Sequence, residues 1–287
     1  MASLEIKSFT DRFELYNGVK IPCMGLGTWQ TDHETTTNAV KSAIAAGYRL
    51  IDTAAAYGNE EGVGQGVAEC GVPRSEIFIT SKLRNAAHGY EATLEAFERT
   101  LEKLGVNYLD LYLIHWPNPL QFRSIWKEAT RGTWKAFEEL YKAGRIRAIG
   151  VSNFMPHHIE MLMETSEILP MVNQLRLCPG VTQPEVVSYC NERNIVVEAY
   201  SPFGTGGIFE VAEMRSLAEK YQKSVGQVCL RWCLQMGYVS LPKSKNPERI
   251  RENTRIFDFT LNETDVRIIS GLTGRCGEAP DPDKINF

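Results

Sequence analysis

The sequence has no Cys-x-x-Cys pair, no long apolar run, no excess of basic charge and no glycine-rich dinucleotide fingerprint. Its seven cysteines, Cys23, Cys70, Cys178, Cys190, Cys229, Cys233 and Cys276, are odd in number and scattered, which argues against a disulfide framework and against zinc. The nearest pair, Cys229 and Cys233, stands four residues apart amid Val228, Leu230 and Trp232. That is the spacing of two small side chains on the buried face of a helix, so core packing is expected and no metal site. No stretch approaches the roughly 20 apolar residues of a membrane-spanning helix. The opening Met1-Ala2-Ser3-Leu4-Glu5 lacks the charged and apolar regions of a secretory signal, so a cytoplasmic protein with no membrane partner is expected. With 31 basic against 35 acidic residues and a formal net charge of −4, and without a basic stripe, nucleic acid is not an expected partner.

What is present is ample core material: 287 residues with 43% hydrophobic content, enough to bury a large interior. Short apolar runs alternate with amphipathic stretches, the pattern of repeated βα units around a parallel sheet. Strands are expected at Cys23–Thr28, Leu50–Asp52, Ile77–Ser81, Leu109–His115, Ile146–Ser152, Val172–Gln174, Val196–Ala199 and Val239–Leu241. Eight such units point to an α/β fold of the closed (β/α)8 TIM-barrel type. Between them, Leu94, Phe97, Leu101 and Leu104 recur at helical steps over Tyr90–Leu104, with Gly105 as the stop, and a second helix is expected over Thr133–Ala143 ahead of Gly144. Ahead of the barrel, Phe13–Ile21 carries Asn17-Gly18 between two short runs, the mark of a two-residue hairpin turn and of a short N-terminal β-hairpin cap. No linker or repeat divides the chain, so residues 1–287 are expected to form one barrel domain. Gly62-Val63-Gly64-Gln65-Gly66 imitates a dinucleotide loop but falls inside a helical stretch, where it reads as a close-packed surface.

Reactive residues of such barrels sit at the C-terminal ends of the strands. Asp52 ends one expected strand, Lys82 follows another and His115 closes a third, with Tyr57 just beyond Asp52. A tyrosine hydroxyl with an ordinary pKa of about 10 needs a neighbouring cation to give up its proton near neutrality, and Lys82 is placed to be that cation. Asp52 would orient Lys82, and His115 would hydrogen-bond a carbonyl oxygen within the roughly 3 Å reach of Tyr57 that proton transfer requires. This is a carbonyl-reducing arrangement that lacks only a hydride.

The residues around these four resemble the aldo-keto reductases. The likeness rests on Gly47-Tyr48-Arg49-Leu50-Ile51-Asp52-Thr53-Ala54 with Tyr57-Gly58-Asn59-Glu60, and on Gly25-Leu26-Gly27-Thr28-Trp29. It continues through Leu113-Ile114-His115-Trp116-Pro117, Ile149-Gly150-Val151-Ser152-Asn153-Phe154, Asn173-Gln174 and Leu241-Pro242-Lys243-Ser244. Five or more motifs in register span the chain almost end to end, and the short tail is most similar to the compact microbial branch that includes diketogluconate and prostaglandin F reductases.

The resemblance implies an NADPH-dependent oxidoreductase that converts aldehydes or ketones to alcohols, with Tyr57 as general acid, Lys82 and Asp52 tuning it and His115 orienting the carbonyl. It further implies cofactor contacts at Gly27, Thr28 and Trp29, a carboxamide grip at Ser152, Asn153 and Gln174, and stacking on Tyr200. Ser201, Pro202, Phe203 and Gly204 open a loop, continuing to Gly207, whose glycines suit a pyrophosphate. Lys243, Ser244 and Arg249 form a cationic and hydroxylic cluster suited to a 2′-phosphate, which favours NADPH over NADH. Glu252 and Asn253 match the adenine contacts. Trp29, Tyr57, Arg84, His115 and Trp116 would line the pocket for a small-molecule carbonyl substrate, and a monomer is implied.

Two departures from the family pattern stand out. Arg84 replaces the usual pocket Trp, which suggests a preference for acidic carbonyls. Arg176-Leu177-Cys178-Pro179 replaces Glu-Leu-His-Pro in the loop after the sixth barrel strand. The loop Asn118–Trp126 and the tail Cys276–Asp283 are expected to rim the pocket, and His157 and His158 to open a helix at the surface. A cofactor-binding sensor subunit would keep the same fold, whereas a barrel isomerase leaves the Lys243–Arg249 cluster unexplained.

Overall fold

The computed structural model describes residues 6–287, so the expectation drawn from Met1–Glu5 lies outside it. Two antiparallel strands, β1 (Arg12–Glu14) and β2 (Lys20–Pro22), precede the main sheet. Their loop is one residue longer than Asn17-Gly18 predicts. The Gly18 N–H donates to Leu15 O at 2.8 Å and the Leu15 N–H to Val19 O at 2.8 Å, while Gly18 takes a φ of +83°. A three-residue Tyr16-Asn17-Gly18 connection results, with glycine absorbing the left-handed step.

The main sheet alternates with helices in the order β3 (Leu26–Gly27), α1 (His33–Ala45), β4 (Leu50–Asp52), α2 (Glu60–Glu69), β5 (Phe78–Leu83), α3 (Tyr90–Leu104), β6 (Leu109–Ile114) and α4 (Trp126–Lys142). The second half runs β7 (Ile146–Ser152), α5 (Pro156–Met163), β8 (Val172–Arg176), α6 (Pro184–Glu192), β9 (Val196–Tyr200), α7 (Ala212–Tyr221), α8 (Val225–Gln235) and β10 (Val239–Leu241). Helices α9 (Pro247–Glu252) and α10 (Glu263–Ser270) follow. All eight strands pair in parallel with their sequence neighbours. The ends meet through a parallel bridge between Met24 and Ser240 and through the Gly25 and Gly27 N–H groups, which donate to Ser240 O and Pro242 O at 2.9 Å. The expected (β/α)8 barrel is therefore the observed architecture.

Several boundaries move for identifiable reasons. The first barrel strand is regular only at Leu26–Gly27, with Met24 held by an isolated bridge to Ser240, and at Gly25 a Cβ would lie 2.4 Å from the Leu50 side chain. Strand β5 runs on to Leu83, so Lys82 lies inside the strand rather than after it, paired across to Leu113. Helix α4 starts at Trp126, ahead of the expected Thr133, after a 3-10 segment at Leu120–Ile125. Helix α3 spans Tyr90–Leu104 as the periodicity requires and ends on Gly105 at φ +62°.

The glycine run of α2 is a packing device. A Cβ on Gly62, Gly64 or Gly66 would lie 2.6 Å from His33 O, 2.3 Å from Leu104 O and 2.8 Å from Val40 Cβ, so three glycines let α1 and α3 close onto this helix. Cys229 and Cys233 are both buried on α8, and the Cys229 thiol donates to Pro202 O at 2.9 Å. His158, expected at the surface, is fully buried; only His157 of the pair is exposed. Met155 at the start of α5 explains this, since its N–H donates to His158 Nδ1 at 3.0 Å and turns the ring inward against Trp126 and Phe154.

Candidate active site

The C-terminal ends of β4, β5 and β6 bring the expected polar residues together. Asp52 is the last residue of β4, Lys82 lies near the end of β5, and His115 follows β6. Tyr57 closes a short 3-10 turn, Ala55–Tyr57, that Gly58 ends at φ +70°. Lys82 Nζ is wholly buried and donates to Asp52 Oδ1 at 2.7 Å, Asp52 Oδ2 at 2.9 Å, Thr53 O at 2.9 Å and the Tyr57 hydroxyl at 3.4 Å. The His115 ring stands edge-on to Tyr57 with centroids 5.8 Å apart.

Charges follow from this packing. Lys82 loses water on burial, yet the Asp52 carboxylate beside it holds its ammonium above the ordinary lysine range. Burial pushes the Tyr57 hydroxyl upward, with Lys82 opposing the shift and Asp52 adding to it. The net direction differs from a simple cation effect, because the cost of burying a phenolate outweighs the pull of Lys82, and Asp52 adds to it. Tyr57 is thereby kept as a proton-bearing phenol. His115 is pushed down to about 3 by burial and by Lys82, so its imidazole is neutral.

The positions assigned to the cofactor form a second layer joined to the first. Asn153, held at φ +61°, donates from Nδ2 to His115 O and Ser152 Oγ, both at 3.1 Å, and accepts from the Tyr200 hydroxyl at 2.9 Å. Ser152 Oγ donates to Gln174 O at 2.9 Å. Gln174 Nε2 donates to Asp52 Oδ2 at 2.9 Å and to Glu198 Oε2 at 2.8 Å. Thr28 donates to Asp52 O at 3.0 Å, and Gly27 lies against Lys243, whose Cβ would be 3.7 Å from an added methyl.

In the loop after β9 the glycines divide the work. Gly204, at φ +54°, is tight against Cys276, which a Cβ would approach to 2.5 Å, whereas Gly206 at φ +104° opens onto free space. Ser201 takes a φ of +50° and its carbonyl accepts the Gly204 N–H at 2.9 Å, which turns the chain past the buried Pro202. Phe203 packs on Phe209. Lys243 and Arg249 are exposed and have no acidic partner among the described residues; Ser244 Oγ accepts the Asn246 N–H at 3.1 Å. Glu252 is half-buried, while Asn253 is buried and bonds the Tyr48 hydroxyl.

Around the mouth, Trp29 is 47% exposed and Trp116 is buried at 8%, stacked beside His115. Arg84 is exposed, with no ion-pair partner among the described residues. The tail does reach this rim. Asp283 accepts from Asn118 Nδ2 at 2.9 Å and faces His157 Nε2 at 3.0 Å and His158 Nε2 at 3.1 Å, while Phe287 packs edge-on to Trp116. Arg176 donates to Glu278 O at 2.6 Å and Cys276 O at 2.8 Å, so the departure after β8 anchors the tail.

Asp283, His157 and His158 also bring three potential metal ligands within 4.8 Å of one another. His158 Nδ1 accepts the Met155 N–H, which leaves the proton on Nε2, the atom that would have to bind an ion. The cluster is an anchor for the tail.

The aldo/keto reductase family profile matches residues 23–273. Glyoxal reductase of Bacillus subtilis is 49% identical over 281 residues, covering 98% of this chain and 99% of that protein. The chain belongs to the aldo/keto reductase family. The 9,11-endoperoxide prostaglandin H2 reductase of Trypanosoma cruzi is 47% identical and covers 94% of each chain. The crystal structure of a Bombyx mori aldo-keto reductase in complex with NADP superposes with a TM-score of 0.85 at 36% identity, again over 94% of each chain. Aldo/keto reductases are NADP(H)-using oxidoreductases, so the barrel, the family and the carbonyl-reducing reading of the motifs agree.

Sequence reasoning gave no individual role to three residues that the structure ties to these groups. Glu198, in the middle of β9, is buried and bonded to Gln174; the signal was an acidic residue inside an apolar strand. Asn59 is buried, accepts from Thr53 Oγ1 at 3.0 Å and donates to Thr28 O at 2.8 Å, tying the Tyr57 turn to the loop after β3. Asp283 gave no local signal, because its partners are 125 and 165 residues away in the chain.

Proposed function

We propose that this aldo/keto reductase uses NADPH to reduce aldehyde or ketone carbonyls to alcohols, with Tyr57 as general acid. The observation that carries the reading is the buried ammonium of Lys82, bound by Asp52 on one side and within 3.4 Å of the Tyr57 hydroxyl on the other. A neutral carbonyl entering beside His115 accepts a hydrogen bond from the neutral imidazole. As negative charge grows on that oxygen, Tyr57 gives it a proton, and the Lys82 ammonium stabilises the phenolate left behind. Bound NADPH supplies the hydride to the carbonyl carbon. Asp52 keeps Lys82 charged and aimed, and Asn153 fixes the backbone of His115.

The residues fit such a cofactor. Lys243 and Arg249 offer cations with no acid to neutralise them, beside Ser244, which suits a 2′-phosphate. Tyr200 presents a half-buried ring held by Asn153. Gln174 has both amide hydrogens engaged, which leaves its carbonyl oxygen to meet a carboxamide. Barrel strands drawn from Leu26 through Leu241 support reading the chain as one catalytic unit.

The name of one relative, glyoxal reductase, supports small carbonyl compounds as substrates, and the exposed Arg84 at the rim supports carboxylated ones among them. The experiment is NADPH consumption with a panel of aldehydes, ketones and dicarbonyls, repeated with NADH and with Lys243→Ala/Arg249→Ala. The reading expects turnover with NADPH, weak turnover with NADH and a raised KM for NADPH in the double variant. Equal use of both cofactors by the unaltered protein would contradict it.

A further inference from the structure

Beneath the Lys82–Asp52 pair the barrel interior holds a second carboxyl group. Glu198 stands on β9 in register with Gln174 of β8 and is completely inaccessible to water. The Gln174 amide nitrogen gives one hydrogen to Glu198 Oε2 and the other to Asp52 Oδ2. Asp52 in turn holds Lys82, and Lys82 reaches Tyr57. One continuous chain therefore runs from Glu198 through Gln174, Asp52 and Lys82 to the Tyr57 hydroxyl.

Two carboxylates in a dry interior served by one ammonium do not share it equally. Asp52 contacts the Lys82 ammonium through both oxygens, whereas Glu198 reaches only the neutral amide. Glu198 Oε1 has no hydrogen-bond partner among the described residues, and an unpartnered buried oxygen costs less on a neutral carboxyl than on a carboxylate. The charged groups facing it are Asp52 from β4 and Lys82 from β5, with Gln174 the polar contact from β8. Burial and the Asp52 charge push the Glu198 carboxyl up to about 8.

The geometry points to Glu198 as a positioning residue of the carbonyl-reducing site, acting through Gln174 and Asp52 to hold Lys82 and the Tyr57 proton in place. The inference rests on the reading of Tyr57 as proton donor. With its proton on, Glu198 lets Asp52 devote its charge to Lys82. With its proton off, above neutrality, it adds a negative charge behind Lys82 that opposes a second negative charge on Tyr57. Tyr57 therefore keeps its proton to higher pH than it would without Glu198.

The test compares pH profiles of kcat/KM for carbonyl reduction in the unaltered protein, Glu198→Gln and Glu198→Met. Infrared difference spectra between the unaltered protein and Glu198→Gln follow the protonated carboxyl band itself. The expected result is an alkaline limb moved to lower pH by about half a unit or more in both variants, and a carboxyl band that disappears as pH rises through about 8. A Glu198→Gln profile lowered uniformly with its alkaline limb unmoved would mean a merely structural role and would overturn the inference. So would a carboxyl band absent at neutral pH. Retained turnover in Tyr57→Phe, by contrast, would undo the reading of the reaction, and the infrared titration would still decide where the Glu198 proton sits.

Discussion

The Lys82 ammonium lies 3.4 Å from the Tyr57 hydroxyl and 2.7 Å from Asp52, with the lysine side chain buried. A cation in that position has no alternative partner in solvent, so its contribution to folding and to chemistry is separable by substitution.

Removing Lys82 strands a buried carboxylate. Lys82→Met should destabilise the protein by about 3–5 kcal/mol, because Asp52 then sits uncompensated in the interior. Lys82→Met/Asp52→Asn should recover a large part of that loss. Chemical denaturation of both variants checks the pair, and a single variant as stable as the unaltered protein would contradict the assignment of Asp52 as the charged partner.

His115 titrates at about 3 in the fold and at about 6.5 when exposed, so it carries a proton only in acid. Its neutral form is a hydrogen-bond donor across the working range, and reduction should show no acidic limb from an imidazole between pH 5 and 7. The same shift has a sign for stability. The unfolded chain binds the extra proton, so this residue's contribution is full above about 6.5 and is lost as pH falls toward about 3. An acidic limb near 6.5 that vanishes in His115→Asn would contradict a neutral His115.

Arg84 tests the substrate class. If its guanidinium meets a substrate carboxylate at the rim, Arg84→Trp should lower kcat/KM for acidic carbonyls by about tenfold or more relative to neutral ones, the scale of one lost charge-assisted hydrogen bond. Parallel kinetics on a neutral and a carboxylated aldehyde decide it, and an unchanged ratio sinks the idea.

Gly64 should defy helix propensity. Ala is favoured over Gly inside a helix by about 1 kcal/mol, but a Cβ here would lie 2.3 Å from Leu104 O. Overpacking against backbone dominates, and Gly64→Ala should destabilise by about 1–3 kcal/mol. Thermal denaturation of this variant beside Gly58→Ala, where no atom lies within 4 Å and only the left-handed φ of +70° resists, separates the steric cost from the backbone cost. An alanine at 64 that leaves stability unchanged or raises it would show that α2 and α3 are not in fixed contact.

Much of this site was legible because barrel geometry converts sequence order into proximity. Asp52, Lys82 and His115 announced themselves as polar residues ending apolar runs, and strands of fixed tilt carry such ends to one rim. Tyr57 followed from Asp52 through a short turn. Residues whose roles depend on distant partners were not legible in the same way. His158 looked like a surface residue until Met155 turned it inward toward Asp283, 125 positions away. Glu198 became part of the site only because Gln174 donates to it and to Asp52 together. The hairpin turn was misjudged by one residue, since Asn-Gly suits more than one loop and the pairing of Leu15 with Val19 decides between them.

The most direct measurement is the rate of NADPH oxidation with a reactive aldehyde, comparing the unaltered protein with Tyr57→Phe under conditions where both bind NADPH. The account predicts a fall of about 10²–10⁴-fold in kcat with cofactor affinity retained, the range expected when a positioned general acid is removed. Turnover in Tyr57→Phe within a few-fold of the unaltered protein would contradict the assignment of Tyr57 as the proton donor and the central claim with it.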